Sequence, residues 1–183
     1  SLLVNEGSVG TALALAAPTD AEGASLTIQV SALPQLGVIT LVDGTPLVSG
    51  QTLSLVQLAG LKYNAPADYN SGDAVGQFGY TVSDGAGGVA VGSVTLGVTP
   101  LNDAPVAESK SLTVNEESVG TLLGLAAPTD VDGNTLLLTV SALPALGSVT
   151  LANGTDVLLG ATLDSAALQG LKYNAPLEYD GVA

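Results

Sequence analysis

The sequence lacks cysteine, histidine, methionine and tryptophan, and its basic residues number only three. Without cysteine the chain has no disulfide framework, no thiol nucleophile and no sulfur-based zinc or iron–sulfur site. Without histidine it also lacks the side chain most often used for acid–base chemistry near neutral pH, which excludes serine–histidine triads and imidazole metal sites. Composition alone therefore excludes the commonest catalytic chemistries.

Positive charge is equally scarce. The chain has 17 acidic residues and a formal net charge of -14. Its basic residues, Lys62, Lys110 and Lys172, are far apart in sequence and do not form the basic footprint that nucleic acid or an anionic membrane requires. The apolar run at residues 9–17 is also well short of the ~20 residues that a spanning helix needs. We therefore expect neither nucleic-acid binding nor membrane insertion.

The apolar residues that are present predict a folded chain. Hydrophobic residues make up 46% and charged residues 11%, which is enough apolar surface to offset the entropy of ordering. Alanine, valine and leucine dominate, with one phenylalanine and five tyrosines, which suits light domains with thin cores. Residues 1–10 carry an acid and no basic residue, so we expect them to be internal to a longer chain rather than a signal peptide.

A tandem repeat organises the sequence. Residues 1–70 match residues 111–180 without a gap at 41 identical positions. We expect a first repeat at residues 1–101, a proline-stiffened linker at residues 102–110, and a second repeat at residues 111–183 that has no counterpart of the last two strands. A unit of this size is too long for a solenoid repeat of ~20 to 50 residues and indicates separate domains.

Short alternating runs between turn signals predict strands. They lie at residues 25–30, 37–41, 61–64, 77–83 and 89–99, and the last two runs form a hairpin around a glycine-rich turn. The stretch between positions 53 and 61 predicts a single helical turn that links strands. About seven strands per repeat and no long helical pattern predict an all-β fold, in which each repeat is an antiparallel Greek-key sandwich and the second is incomplete.

Acidic residues cluster in turns. Asp20 and Glu22 lie in PTDAEG, and Asp130 and Asp132 lie in the matching PTDVDG. Two carboxylates on one side of a tight loop repel each other unless a cation bridges them. Further oxygen-bearing sets are Asp68, Asn70 and Asp73, and Asn102 with Asp103. Oxygen ligands without histidine or cysteine select a hard cation, and calcium fits better than magnesium because it accepts several flexible protein oxygens.

A second interpretation of these turns stays open. Aspartate, asparagine and glycine dominate turns for conformational reasons, so each acidic turn taken alone also fits a purely structural turn. The combination of DVDG with the Asn-Asp pair between the repeats favours the cation.

The motifs VNE, PTDVDG, YNAPADYNSG, FGYTVSDG and NDAPVA together resemble the cadherin-like tandem repeats of giant bacterial surface adhesins, a kind often secreted with repeats-in-toxin signals. The resemblance covers the whole chain, and its most specific parts are the NDAP and SDG blocks. It implies immunoglobulin-like sandwiches that calcium rigidifies, in the extender region of a secreted bacterial surface, matrix or biofilm protein. Neighbouring repeats of the same chain are the implied partners, and no catalysis is implied.

The resemblance also implies a set of calcium ligands at the junction of the two repeats. That set consists of Glu6 and Asp68 from the first repeat, Asn102 and Asp103 from the linker, Asp130 and Asp132 from the second repeat, and Asp73 as an extra ligand. Asp20, Glu22 and Asp84 would face a preceding junction, and Glu116 a following one. Two departures from the family pattern reduce the expected number of ions: the linker has no long acidic run, and the second repeat has no SDG aspartate.

Three other functions are alternatives to the calcium-stiffened spacer. A ligand-binding immunoglobulin-like module would recognise glycan or protein through its loops, but these loops are short and poor in the aromatic and arginine residues that anchor interfaces. A filament subunit would use homophilic or strand-exchange contacts at the open edges of the second repeat. A carboxylate-pair glycosidase is disfavoured because the chain has no tryptophan platform for sugar.

Overall fold

The structure is a computed structural model that describes residues 1–70 and 72–178. The chain divides into two compact units, Ser1–Asn102 and Asp103–Ala183. The boundary therefore separates the two residues that open the predicted linker. Within the described ranges, no helix has both the length and the apolar character needed to cross a bilayer.

The first unit consists of two sheets. Its described strands are β1 (Leu2–Asn5), β2 (Thr11–Ala12), β3 (Thr27–Ala32), β4 (Val38–Thr40), β5 (Thr52–Leu53), β6 (Lys62–Asn64), β7 (Gln77–Ser83) and β8 (Val89–Thr99). One sheet has the order β1-β8-β7-β3-β5, and the other has the order β2-β6-β4. The pair β1 and β8 is parallel and the other pairs are antiparallel. The expectation of an all-β sandwich is confirmed.

The core of the first unit lies between these sheets. Alternation along β3 buries Ile28 and Val30, and alternation along β7 buries Phe78 and Val82. The opposite sheet contributes Tyr63 to the same cluster. The period-two pattern that predicted these strands is therefore the pattern of core contacts.

A short helix, α1 (Leu55–Ala59), connects β5 to β6. Ser54 caps its first turn: its hydroxyl accepts the N–H of Gln57, and the Gln57 side chain accepts the N–H of Ser54. The helix points Leu58 into the core, where it is 0% exposed. The predicted single turn between positions 53 and 61 is confirmed.

Tyr63 fixes a turn from within the core. Its ring is fully buried, and its hydroxyl donates a hydrogen bond to the carbonyl oxygen of Leu36 at 2.9 Å. Burial raises the pKa of Tyr63 above its ordinary value, with a smaller contribution from Tyr69, so the hydroxyl keeps the proton that it donates. The adjacent Gly37 has φ +75° and no room for a side chain, because a Cβ there would lie 2.5 Å from the Tyr63 hydroxyl.

Tyr63→Phe is expected to lower the free energy of unfolding of the first unit by about 1 kcal/mol, because the ring still fills its place and only the bond to Leu36 is lost. Chemical denaturation, monitored by hydrogen exchange in the first unit, measures this change in the free energy of unfolding. Tyr173→Phe is the matched control, since Tyr173 makes the same bond to Leu146 at 2.9 Å but is only half-buried. A larger loss at Tyr173 than at Tyr63 would contradict the burial argument.

The second unit repeats only part of this plan. Its described elements are β9 (Thr121–Leu122), β10 (Leu138–Thr139), β11 (Ser148–Thr150), β12 (Thr162–Leu163), α2 (Ser165–Gln169) and β13 (Lys172–Asn174). They form a sheet of order β11-β13-β9 and a two-stranded sheet of β10 and β12. Among residues 103–178, no strand corresponds to β7 or β8. The buried hydrophobic residues in this part of the chain are Val157 and Leu171.

The lack of counterparts of β7 and β8 in residues 103–178 affects residues 111–115, whose sequence is almost the same as that of residues 1–5. They read SLTVN where the first repeat reads SLLVN, yet the structure assigns them no strand. In the first unit, β1 pairs only with β8, through Leu2 opposite Leu96 and the three following pairs. A strand needs a partner for its backbone groups, and residues 103–178 offer none at this place.

Candidate functional site

Asp103 and Asp132 are brought together by backbone pairing at the start of the second unit. Val106 and Thr129 form an antiparallel bridge, with N–H to carbonyl distances of 2.8 and 3.0 Å. In an antiparallel register, three residues before Val106 lie opposite three residues after Thr129, which places Asp103 against Asp132. The N–H of Asp103 donates to Oδ2 of Asp132 at 2.7 Å, and the Oδ2 atom of Asp103 is buried.

Asp130 closes the turn that carries Asp132. Its Oδ1 atom accepts the N–H of Asn134 at 3.1 Å, and its carbonyl accepts the N–H of Gly133 at 3.2 Å. Gly133 has φ +73°, which lets the chain reverse tightly at this point. Asp130 thus has a conformational role in the turn, in agreement with the structural interpretation of these motifs.

The matching turn of the first unit is built in the same way. The Oδ1 atom of Asp20 accepts the N–H groups of Glu22 at 3.0 Å and Ala24 at 2.8 Å. The side chain of Glu22 is exposed. The two acidic turns therefore share an aspartate that orders the loop. They differ at the second acidic residue, because Glu22 is exposed whereas Asp132 accepts the N–H of Asp103.

Glu6 lies at a junction within the first unit and is 7% exposed. Its two carboxylate oxygens accept backbone hydrogen bonds, Oε2 from the N–H of Tyr69 and Oε1 from the N–H of Leu101. Its own N–H donates to the carbonyl of Thr99 at 3.0 Å. Glu6 therefore ties the end of β1 to the loop after β6 and to the residues that follow β8. Its repeat counterpart, Glu116, is exposed.

The remaining predicted ligands of the first unit are dispersed. Asp68 and Asp73 are exposed, and the carbonyl of Asp73 accepts the hydroxyl of Tyr69 at 2.9 Å. Asp84 closes the hairpin between β7 and β8, because its Oδ1 atom accepts the N–H groups of Ala86 at 2.7 Å and Gly88 at 2.9 Å. Asn70 and Asn102 are exposed.

The geometry thus brings Asp103 against Asp132 and leaves the other candidates in separate turns. Within residues 1–70 and 72–178, no group of three or more acidic side chains is arranged to hold a metal ion. The donor chemistry nevertheless suits calcium, which accepts carboxylate, carbonyl and water oxygens together. A cation at Asp103 and Asp132 would complete its shell with backbone carbonyls and water.

Sequence reasoning missed the backbone contacts of Glu6. The two backbone N–H groups that donate to its carboxylate are 63 and 95 residues away in sequence. No local motif links the three positions, because the contact depends on where the end of β8 lies beside the end of β1. Asp103, by contrast, carried a signal in the NDAP block, although its partner was not evident from spacing.

A family model matches both parts of the chain. The model described as bacterial Ig domain matches residues 1–97 and, separately, residues 102–175. No curated protein and no solved structure matches the chain.

Proposed function

We propose, from its membership of the bacterial Ig domain family, that this chain is a spacer in a bacterial surface adhesin and that calcium stiffens it. Its two consecutive copies of the domain form an extracellular repeat module. Its partners are the neighbouring repeats of the same chain. The spacer lifts an adhesive region away from the cell in adhesion or biofilm formation.

The composition supports a passive spacer. The chain lacks histidine and cysteine, and most of its described turn aspartates accept backbone N–H groups rather than converge in a cleft. The absence of methionine, tryptophan and cysteine also removes the side chains most easily oxidised outside the cell. These features suit a module whose task is mechanical.

The contact between Asp103 and Asp132 carries the calcium part of the proposal. Asp103 is the first residue of the second unit, and its N–H bond to Asp132 and the bridge at Val106 already hold this segment against the PTDVDG turn. A bound calcium ion would supply positive charge that offsets the repulsion between the two carboxylates. With this segment restrained, fewer backbone rotations remain in the proline-containing stretch around position 103.

Calcium is expected to raise the melting temperature of the chain, and a chelator is expected to reverse the rise. Binding to the folded state alone adds about 2.7 kcal/mol at a hundredfold excess over the dissociation constant. Scanning calorimetry measures the shift, and small-angle scattering with and without chelator measures the maximum dimension, which we expect to be longer and better defined with calcium.

Asp132→Asn separates the charge of this residue from its hydrogen bond. The amide oxygen still accepts the Asp103 N–H, so the fold is kept, but the calcium-dependent rise should fall by at least half. Asp43→Asn is the matched control, because the second repeat already has asparagine at that turn position, Asn153. Calcium that leaves both the melting temperature and the maximum dimension of the unchanged chain as they were would refute the proposal.

A further inference from the structure

The first and last strands of the first unit are neighbours in one sheet. β1 pairs with β8 and with no other described strand, in a register that runs from Leu2 opposite Leu96 to Asn5 opposite Thr99. These two strands are parallel, whereas every other described strand pair of this unit is antiparallel. One parallel ladder therefore joins the strand that opens the unit to the strand that closes it.

The parallel pairing decides how this ladder responds to tension. A force applied to the two ends of the unit draws β1 backward, beyond Leu2, and draws β8 forward, beyond Thr99. In a parallel pair these directions are opposite along one axis, so the strands part only by sliding lengthwise. The hydrogen bonds between the strands then bear the force together, whereas an antiparallel hairpin pulled at its open end loses them one pair at a time. Extension of the unit thus loads the ladder in shear.

The side chains of β1 add to this resistance. Leu2 and Val4 pack against the core cluster, which includes Leu96 and Val98 of β8. Leu3 lies on the opposite face and is 72% exposed. Because a slip of one residue exchanges the two faces of a strand, sliding would bring Leu3 to the core face and take its neighbours out of the core.

Glu6 extends the connection beyond the ladder. It follows β1 directly and is 7% exposed. Its N–H donates to the carbonyl of Thr99 at 3.0 Å, and its carboxylate accepts the N–H groups of Leu101 and Tyr69. Hydrogen bonds to a carboxylate are roughly twice as strong as those between neutral groups. A force that draws Leu101 away from β1 must therefore break strong bonds at Glu6 together with the ladder.

We propose that β1, residues 96–101 and Glu6 form the load-bearing clamp of the first unit, in which the Glu6 carboxylate is the latch. Under tension the unit stays folded until this clamp yields, and the rest of the sandwich then opens. The role rests on the proposed function, because a spacer between a cell and an adhesive region is held under tension. The clamp itself works without calcium, since its bonds join protein groups to each other.

Single-molecule force spectroscopy in the presence of a chelator tests the clamp. The chain has no cysteine, so pairs of introduced cysteines define where the force acts. Handles attached at Ser1→Cys and Ala104→Cys load β1 and β8 in shear. Complete opening of the unit should then lengthen the chain by about 300 Å, because each released residue extends by ~3.3–3.6 Å.

A second pulling geometry on the same fold is the control. Gln77 and Thr95 are an opposed pair of β7 and β8, and both are exposed, so handles at Gln77→Cys and Thr95→Cys open this antiparallel pair from the end opposite its turn. The shear geometry is expected to need roughly twice the force or more, because its bonds break together. Equal forces in the two geometries would overturn the proposal.

Glu6→Ala separates the latch from general stability. This variant should lower the force in the shear geometry by roughly a third, because its bond to Leu101 belongs to the loaded set, and should leave the force on the hairpin unchanged. Leu58→Ala is the matched control: it removes a side chain that is 0% exposed and lies outside the clamp, so it should lower the shear force less than Glu6→Ala does.

Glu6→Gln keeps the test decisive if Glu6→Ala does not fold. Its amide retains one acceptor oxygen, so the shear force should lie between those of Glu6→Ala and the unchanged chain, or below that of the unchanged chain if only this variant folds. A shear force that stays unchanged in the folded Glu6 variants, or that falls further in Leu58→Ala, would refute the latch. These forces are measured in chelator, so a failure of calcium-dependent stiffening leaves them as they are.

Discussion

Leu58→Ala is expected to lower the free energy of unfolding of the first unit by about 2–5 kcal/mol, the usual cost when a fully enclosed leucine leaves a cavity. Leu58 is 0% exposed and belongs to the buried cluster to which both sheets contribute. A loss of this size is a large fraction of the stability of a domain of this length. Chemical denaturation with peptide-level hydrogen exchange assigns the loss to the first unit.

Leu168→Ala is the matched control for this prediction. Leu168 occupies the same position of α2 that Leu58 occupies in α1, but it is half-buried and lines an open apolar cavity of the second unit. Truncation there removes fewer contacts and creates no closed cavity, so the second unit should lose well under half as much. Equal losses at the two positions would contradict the argument from burial.

Glu6→Ala is expected to destabilise the first unit by about 2–6 kcal/mol, since it leaves the N–H groups of Tyr69 and Leu101 without their acceptor, at roughly 1–3 kcal/mol each. The free energy of unfolding of Glu6→Gln should lie between those of the unchanged chain and Glu6→Ala, because an amide has one acceptor oxygen and turns its NH₂ group toward the other donor. Glu116→Ala, at the exposed counterpart, should stay within about 0.5 kcal/mol. Denaturation curves of the three variants measure these differences.

The calcium dependence of the Glu6 effect separates its two roles. If Glu6 acts through the backbone amides that it accepts, the loss in Glu6→Ala is the same in chelator and in calcium. A loss that appears only in calcium would instead make Glu6 a ligand, as the resemblance to cadherin-like repeats implied, and would contradict the backbone role as the main one.

Local sequence patterns predicted much of the fold. Residues 77–83 and 89–99 were predicted as a hairpin from alternation and a glycine-rich turn, and β7 and β8 have those bounds. The Asp-Gly turn at positions 43 and 44 has an equally local cause, because the aspartate side chain accepts the N–H of Thr45 two residues later. Such features depend on neighbours within a few residues, so sequence contains nearly all the information that specifies them.

The candidate site was predicted less completely. Asp103 and Asp132 were named among many acidic residues, but the sequence could not show that these two meet while Asp68 and Asp73 stay exposed. Their meeting follows from the register of the bridge between Val106 and Thr129. Register depends on which segments pair, and one step of register changes every opposite residue.

The sequence by itself determined the repeat, the all-β class and the inward face of each long strand, because these follow from periodicity and turn chemistry. Only the tertiary structure decided the state of nearly identical segments: residues Leu2–Asn5 form a strand beside β8, whereas residues 112–115 form none. It also decided that Glu6 is buried and Glu116 exposed. The physical reason is the same in each case, since a strand and a buried carboxylate both need partners that come from far along the chain.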